Sequence, residues 1–535
     1  MLITLLTSIL FSAGCNIGSS APDTGSSSGS TASGSTGSGD TSDSSGDDEI
    51  KPEDQSPTVA PLSLPEIIEP AENLSSFIAQ AQDKFGTQRD GIIVSPYYTV
   101  RVGKVEAPVY AVPTSYGNTQ NVAFVDVNKD AFPLSVRISS SYAVDSAKVL
   151  PEKYNVICTK QGNDTLFTVS SYGYYTVQFN CGYNDVLTLC VREYDEPDEF
   201  EGYNVIEYKS GIHFVDYIDI PSNTVLYLHR GAYLIANAPN ESEIPESAEN
   251  YHGETTWRPF IRAKDASNVK IKGRGVIDLS ALYWCARNPV DFNRCDNVEI
   301  DGITIVNTAN WNMTIANCKN VTVKNCVMLS YRRNSDGIAI VDCDGAVVSD
   351  CFARSGDDLF EVKSMYRDSD VVCQNIRFER CIAWADSCRC FGVIHETAKD
   401  ITGVVFEDCA MLYAMAAWSP DMGSLVVING VRGKVSEVTF RNIEVYNDAQ
   451  YAMNVATGPN EWSESSEVGV IENVLYENIR IVKGGRVRIK APDSDECYVS
   501  GITYKGITFG NNLCLDLNCL NIEYLGNVGD VVYEK

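Results

Sequence analysis

From about residue 204 onward, apolar and polar positions alternate in short runs that recur along the chain. Each unit is an alternating strand, a polar bend rich in Asn, Asp or Gly, and a second apolar strand. Aligned units begin near residues 295, 318, 343, 373, 401, 435, 471 and 499, so the period wanders between about 23 and 36 residues. A unit of this kind cannot bury its apolar side alone and must stack on its neighbours. Irregular period, β-forming residues and turn-forming corners predict a right-handed parallel β-helix over 201–535. A leucine-rich repeat is disfavoured, because its leucine spacing and helices are missing.

Upstream the texture differs. Between residues 61 and 200, period-two runs separated by turns predict a small β-sandwich that carries no clustered acid, histidine or metal motif. It reads as a structural or glycan-contacting accessory domain. Residues 16–60 are a Ser/Gly/Thr/Asp tract with almost nothing to bury, expected to be a disordered tether. Residues 1–15 form a short apolar segment ending in Ser-Ala-Gly-Cys. It resembles a bacterial lipoprotein signal with Cys15 as the lipidated residue, and it is too short to span a bilayer as a helix. Anchor and tether together predict an extracellular or outer-surface location.

Composition refines this picture only in places. The net charge of −29 over 535 residues argues against nucleic acid or an anionic membrane as partner. The 18 cysteines would suggest disulfides in a small secreted domain, but the repeat gives most of them another meaning. Cys295, Cys318, Cys343 and Cys373 share one column; Cys326, Cys351, Cys381 and Cys409 share a second, continued by Ile303, Ile443, Ile479 and Ile507. Cysteine alternating with isoleucine acts as a small buried hydrophobe. Cys158, Cys181 and Cys190 of the sandwich are core thiols or one disulfide plus a spare. Cys388 and Cys390 alone do not make a zinc site; no metal and no cofactor is expected.

The chemistry gathers between Asn334 and Lys363. Asp336 stands 21 positions before the pair Asp357–Asp358, and each site is followed by a short apolar strand. If one coil spans that distance, Asp336 and Asp358 share a register on adjacent coils, roughly 4.8 Å apart. Asp357, at the bend, can turn its carboxyl to the same side. Three acids this close cannot all ionise freely, so at least one holds a proton near neutrality. Glycoside hydrolysis needs that state: one carboxyl protonates the leaving oxygen while others activate a water. The bland alternative is a set of solvated or turn-capping aspartates at coil corners.

The outer rows of this sheet are read as starting near residues 311, 335, 357, 390, 414, 451 and 486. Arg332, Arg333, Lys363 and Arg389 surround the acids and are candidate substrate ligands, as are Asn334, His395 and Glu396. Each cation has an alternative as an ion-pair partner or a solvated loop residue. Trp311 and Trp418 on outer rows are candidate stacking surfaces for sugar rings, with core packing as the alternative.

Asn334-Ser335-Asp336-Gly337 followed by Gly356-Asp357-Asp358 and Lys363-Ser364 resembles glycoside hydrolase family 28, the polygalacturonases, over about residues 204–490. The resemblance implies a pectin-lyase-like β-helix and an inverting hydrolase. In it Asp358 would be the general acid, and Asp336 and Asp357 would hold and deprotonate the water. The chain departs from that family where a Gly-His-Gly motif is due, since Cys390-Phe391-Gly392 stands there. The family's Arg-Ile-Lys is missing from the next coil, read here as residues 410–418; Arg488-Ile489-Lys490 stands roughly three coils too far on and is read as coincidence. The sandwich preceding the helix also resembles family 49, dextranase and isopullulanase, which implies neutral α-glucans. The expected partner is thus a polysaccharide, met by a monomer. A polysaccharide lyase, with acids holding Ca²⁺ and Arg488 or Lys490 as base, and a non-catalytic glycan-binding β-helix are the readings from other classes.

Overall fold

The computed structural model describes residues 59–63, 93–180, 182, 186–195, 197, 200–237, 248–249, 255–282, 284–414, 419, 421–446, 451–459 and 469–535. The segment 1–15 with Cys15, nearly all of the tract 16–60, Cys181 and Trp418 lie outside those residues.

The chain from Asn204 winds as a right-handed parallel β-helix. Two long sheets carry it: one of 22 strands that includes both strands of each repeat unit, and one of 11 strands. In the smaller sheet Met313, Ile338, Phe360, Phe391, Leu425, Met453 and Val487 stand one above another in parallel register. The row after Phe391–Thr397 is therefore Leu425–Asn429, not the stretch beginning at residue 414. Ala410–Ala414 pairs instead in the larger sheet, on Ile382–Ala385. An apolar run alone does not reveal which sheet it joins.

Both cysteine columns lie in the core as expected, each thiol buried. Inward aromatics stack along the axis: Phe378, Phe406, Phe440, Tyr476 and Tyr504 lie with successive ring centroids 4.9, 5.0, 5.0 and 5.3 Å apart and nearly parallel. The corners explain the asparagines. Asn268, Asn297 and Asn320 adopt φ of 55, 58 and 53°, the left-handed region that Asn tolerates better than most residues. Their side chains ladder between coils, Asn297 Nδ2 donating to Asn268 Oδ1 at 2.6 Å. The one disulfide among the described residues, Cys514–Cys519, closes a five-residue step near the end of the chain.

Strands between Val59 and Glu193 form a seven-stranded and a five-stranded sheet, largely antiparallel. Val100, Ile138, Val177, Phe179 and Leu189 fill the space between them. The outer side of this sandwich is not solvated throughout. Tyr110, Val122, Phe124, Tyr174 and Val186 pack on Val306, Leu329, Phe352, Trp384 and Leu412 of the helix in a continuous apolar cluster. Sandwich and helix share one compact unit, Pro57–Lys535. Each Å² of apolar surface removed from water there contributes about 25 cal/mol.

Candidate active site

The smaller sheet builds the site from strand beginnings. Ile338 pairs with Phe360, so Asp336 and Asp358, each two residues earlier, share a register, and Gly337 N–H donates to the Asp358 carbonyl at 2.7 Å. This close approach requires glycine: a Cβ on Gly337 would lie 2.2 Å from the Leu359 carbonyl oxygen. Asn312 Nδ2 donates to the carbonyls of Ser335 and Asp336, fixing the bend from the preceding coil. Ser335 Oγ accepts from Gly356 N–H at 2.9 Å, tying the two bends together.

Asp357 sits at its bend as expected and is the least buried of the three acids. Its carboxylate accepts from Asn334 N–H and from Asp358 N–H, each at 3.0 Å. Asn334 adopts φ 54°, which aims that N–H at the acid. Asp336 is 4% and Asp358 3% exposed. A carboxylate oxygen from each of Asp336, Asp358 and Glu361 lies within 4.8 Å of the other two, and one from Asp357 lies within that distance of Asp358.

Two cations enter this cluster. Arg389 Nη1 contacts both Asp358 oxygens, at 3.0 and 2.8 Å, and Arg389 N–H donates to Oδ1 at 2.9 Å. Lys363 Nζ lies 2.9 Å from Glu396, 3.1 Å from Glu361 and 4.0 Å from Asp336, and 4.9 Å from the centre of the Trp311 ring. Burial raises the pKa of Asp336 well above the carboxylate range, and the charges of Asp357 and Glu361 add to it. Burial and then the Asp358 charge raise Asp357. Among the described residues no group donates to Asp336 Oδ1.

Other expected residues fall in varied places. Glu396 and His395 lie on a bulge, where Ile394, His395 and Glu396 oppose the single residue Lys363. His395 is left-handed at φ 57° and buried; burial, then Arg389 and Lys363, hold its pKa well below the ordinary value. Trp311 lies on Ala316, Ala339 and Val341 and is 7% exposed, closer to packing than to a sugar platform. Arg332 Nη2 donates to the Ser280 carbonyl at 3.1 Å, and its charge acts on buried Asp278. Arg333 is exposed, its carbonyl accepting from Trp284 Nε1.

Three further residues, not read from the sequence as part of a hydrolytic site, stand beside it. Glu361 is fully buried, and its pKa is pushed up to about 8 by burial, a rise limited by Lys363 and supported by Asp358 and Glu396. The alternation of the strand places it outward beside Lys363, a signal present in the sequence. Asp421 and Arg488 pair at 2.6 Å, and the Asp421 carbonyl accepts from Arg389 Nε at 3.0 Å. Arg488, the first residue of the Arg-Ile-Lys string, thus reaches the site's periphery through Asp421. It stands three rows beyond Phe391, and the inserted lengths of the intervening coils hid that proximity.

The parallel β-helix thus presents a carboxyl cluster at the strand beginnings of its smaller sheet. The family described as glycosyl hydrolases family 28 matches residues 246–511, so the resemblance to that family extends from the aspartate motifs over most of the coils. Polygalacturonase QRT2 of Arabidopsis thaliana is 22% identical over 313 residues, covering 52% of this chain and 66% of that protein. A probable polygalacturonase of Vitis vinifera is 26% identical over 165 residues, covering 27% of this chain and 34% of that protein. The chain thus spans less than two thirds of the length of these relatives. Among solved structures, Dex49A from Penicillium minioluteum superposes with a TM-score of 0.54 at 12% identity, covering 82% of this chain and 92% of that one, a likeness of fold.

Proposed function

We propose that this chain is a glycoside hydrolase that cleaves a polysaccharide by inverting acid–base catalysis with Asp336, Asp357 and Asp358. The observation that carries the reading is the ion pair of Arg389 with Asp358 inside a cluster of acids. It divides the carboxyls into roles. Asp358 serves as a carboxylate held by a guanidinium. Its charge helps Asp357 keep a proton, and Asp357 is the acid with most access to solvent. This reverses the expectation that Asp358 is the general acid: Asp357 protonates the glycosidic oxygen as the bond to the anomeric carbon breaks. A water held between Asp336 and Asp358 attacks that carbon from the opposite face and gives its proton to the Asp358 carboxylate. Each carboxyl then recovers its starting state by exchange with solvent.

For the sugar, the named relatives suggest polygalacturonate. A second reading, a neutral α-glucan, is favoured by the pairing of the cations. Arg389, Lys363 and Arg488 all face acids of the protein itself. A uronate carboxylate entering here would have to compete with those acids for each of the three cations. We further place the enzyme outside the cell, held through a lipid on Cys15 and acting as a monomer.

The test is a panel of pectic chains and α-glucans assayed for reducing ends, with the anomer of the first product followed by NMR. Asp357→Asn should lower turnover about 10²- to 10⁴-fold with an unchanged melting temperature. Wild-type turnover in that variant, or retention of configuration, would sink the mechanism. Unsaturated products would instead assign a lyase.

A further inference from the structure

The sandwich reaches the acids at one point. Val109–Pro113 and Thr119–Val127 form a hairpin whose tip, Ser115–Gly117, rests on the bend that leads into Asp357. Ser115 Oγ donates to the Tyr331 carbonyl at 3.0 Å. The fit is tight: a Cβ on Gly356, the residue before Asp357, would lie 2.9 Å from Ser115 Oγ. Behind the tip, buried Gln120 accepts from Arg354 Nη1 at 2.8 Å, and Arg354 pairs with Asp386 and lies over Trp384. The hairpin is therefore fixed to the strand that carries the catalytic bend.

Tyr116 stands at the apex of this tip. It is 62% exposed, yet its hydroxyl donates to Ser387 Oγ at 3.0 Å. Ser387 precedes Cys388, whose sulfur lies within 4.8 Å of carboxylate oxygens of Asp357 and Asp358, and Arg389 follows. Tyr116 also has φ 59° and ψ 26°, a left-handed conformation that is costly for an aromatic residue and is normally given to Gly or Asn. Gly117 occupies the next position, so a glycine was within reach of the tip. An aromatic held in a strained conformation beside an acid cluster, with its ring in solvent, is an observed outlier that calls for a use.

We propose that Tyr116 is a substrate-binding residue: its ring receives the apolar face of a pyranose bound next to the scissile bond, and the sandwich thereby completes the active site. The inference rests on the hydrolase reading above. An aromatic ring offers a large, rigid surface with a polar tip, and the Tyr116–Ser387 hydrogen bond fixes it before the sugar arrives. The sandwich then acts in catalysis through position, since the apolar interface beneath it sets where the ring stands.

The experiment uses the full chain with Tyr116→Phe, Tyr116→Ala and Tyr116→Gly. KM and kcat are measured on whichever polysaccharide of the panel the wild type cleaves. Binding of oligosaccharides of that polymer is measured by calorimetry in an Asp357→Asn background. Tyr116→Phe keeps the ring and should stay within about threefold of wild type. Tyr116→Ala and Tyr116→Gly should weaken binding and raise KM about tenfold with kcat little changed. Glycine relieves the left-handed strain, so Tyr116→Gly should melt at the same temperature as wild type or higher while binding more weakly. Unchanged affinity in Tyr116→Ala, or equal losses in Tyr116→Phe and Tyr116→Ala, would overturn the role of the ring. A wild type that neither cleaves nor binds any member of the panel would overturn the hydrolase reading itself, and the two failures are told apart by that control.

Discussion

Glu361 allows a prediction whose size follows from the structure. Its side chain is fully buried, and burial first, tempered by Lys363 and reinforced by Asp358 and Glu396, pushes its pKa to about 8. In the unfolded chain a glutamate titrates near 4.3. Between those values the folded state holds a proton that the unfolded state has lost, so stability falls as pH rises through this window. At about 1.4 kcal/mol per unit, moving from pH 5 to pH 8 removes up to about 4 kcal/mol through this one group. Glutamine mimics the protonated form and does not titrate. Glu361→Gln should therefore match wild type near pH 5 and exceed it progressively toward pH 8, ending about 4 °C higher in melting temperature for a folded unit of this size. Scanning calorimetry of both proteins at half-unit steps reads the difference. The other charged groups around Glu361 are Asp336, Asp358, Lys363, Arg389 and Glu396, and they remain in both proteins. A gap between the two proteins that stays constant from pH 5 to pH 8 would refute the reasoning, because it would show that Glu361 ionises alike in the folded and unfolded chain.

Two further predictions concern the scaffold. Phe406→Ala breaks the aromatic stack between Phe378 and Phe440 and should cost about 3–5 kcal/mol, read as a lower melting temperature; a cost under about 1 kcal/mol would mean the stack contributes little. Gly337→Ala forces the bends of Asp336 and Asp358 apart, since its Cβ would lie 2.2 Å from the Leu359 oxygen. It should lower turnover about 100-fold while the β-sheet circular dichroism is kept, and full activity would show that the register of the two acids is not critical.

The sequence alone determined the coil, because its information is local and periodic. Alternation, corner asparagines and the paired columns of Cys and Ile each follow from one short rule repeated along the chain. The 21-residue spacing of Asp336 and Asp357 is of the same kind, and one coil of that length is enough to bring three acids together. Tertiary structure decided what that rule leaves open. Coil lengths vary, so the row that follows Phe391 is Leu425 and not residue 414, and Arg488 returns to the site through Asp421. Which cation serves which acid depends on distances of 3 to 4 Å across strands, and there Arg389 took Asp358 while Lys363 was shared among Glu361, Glu396 and Asp336. The seating of the sandwich is further still from sequence reach, since it rests on apolar faces more than 100 residues apart. Three neighbouring carboxyls were legible from spacing; the charges, the missing fourth acid and the tyrosine at their rim required the chain to be folded.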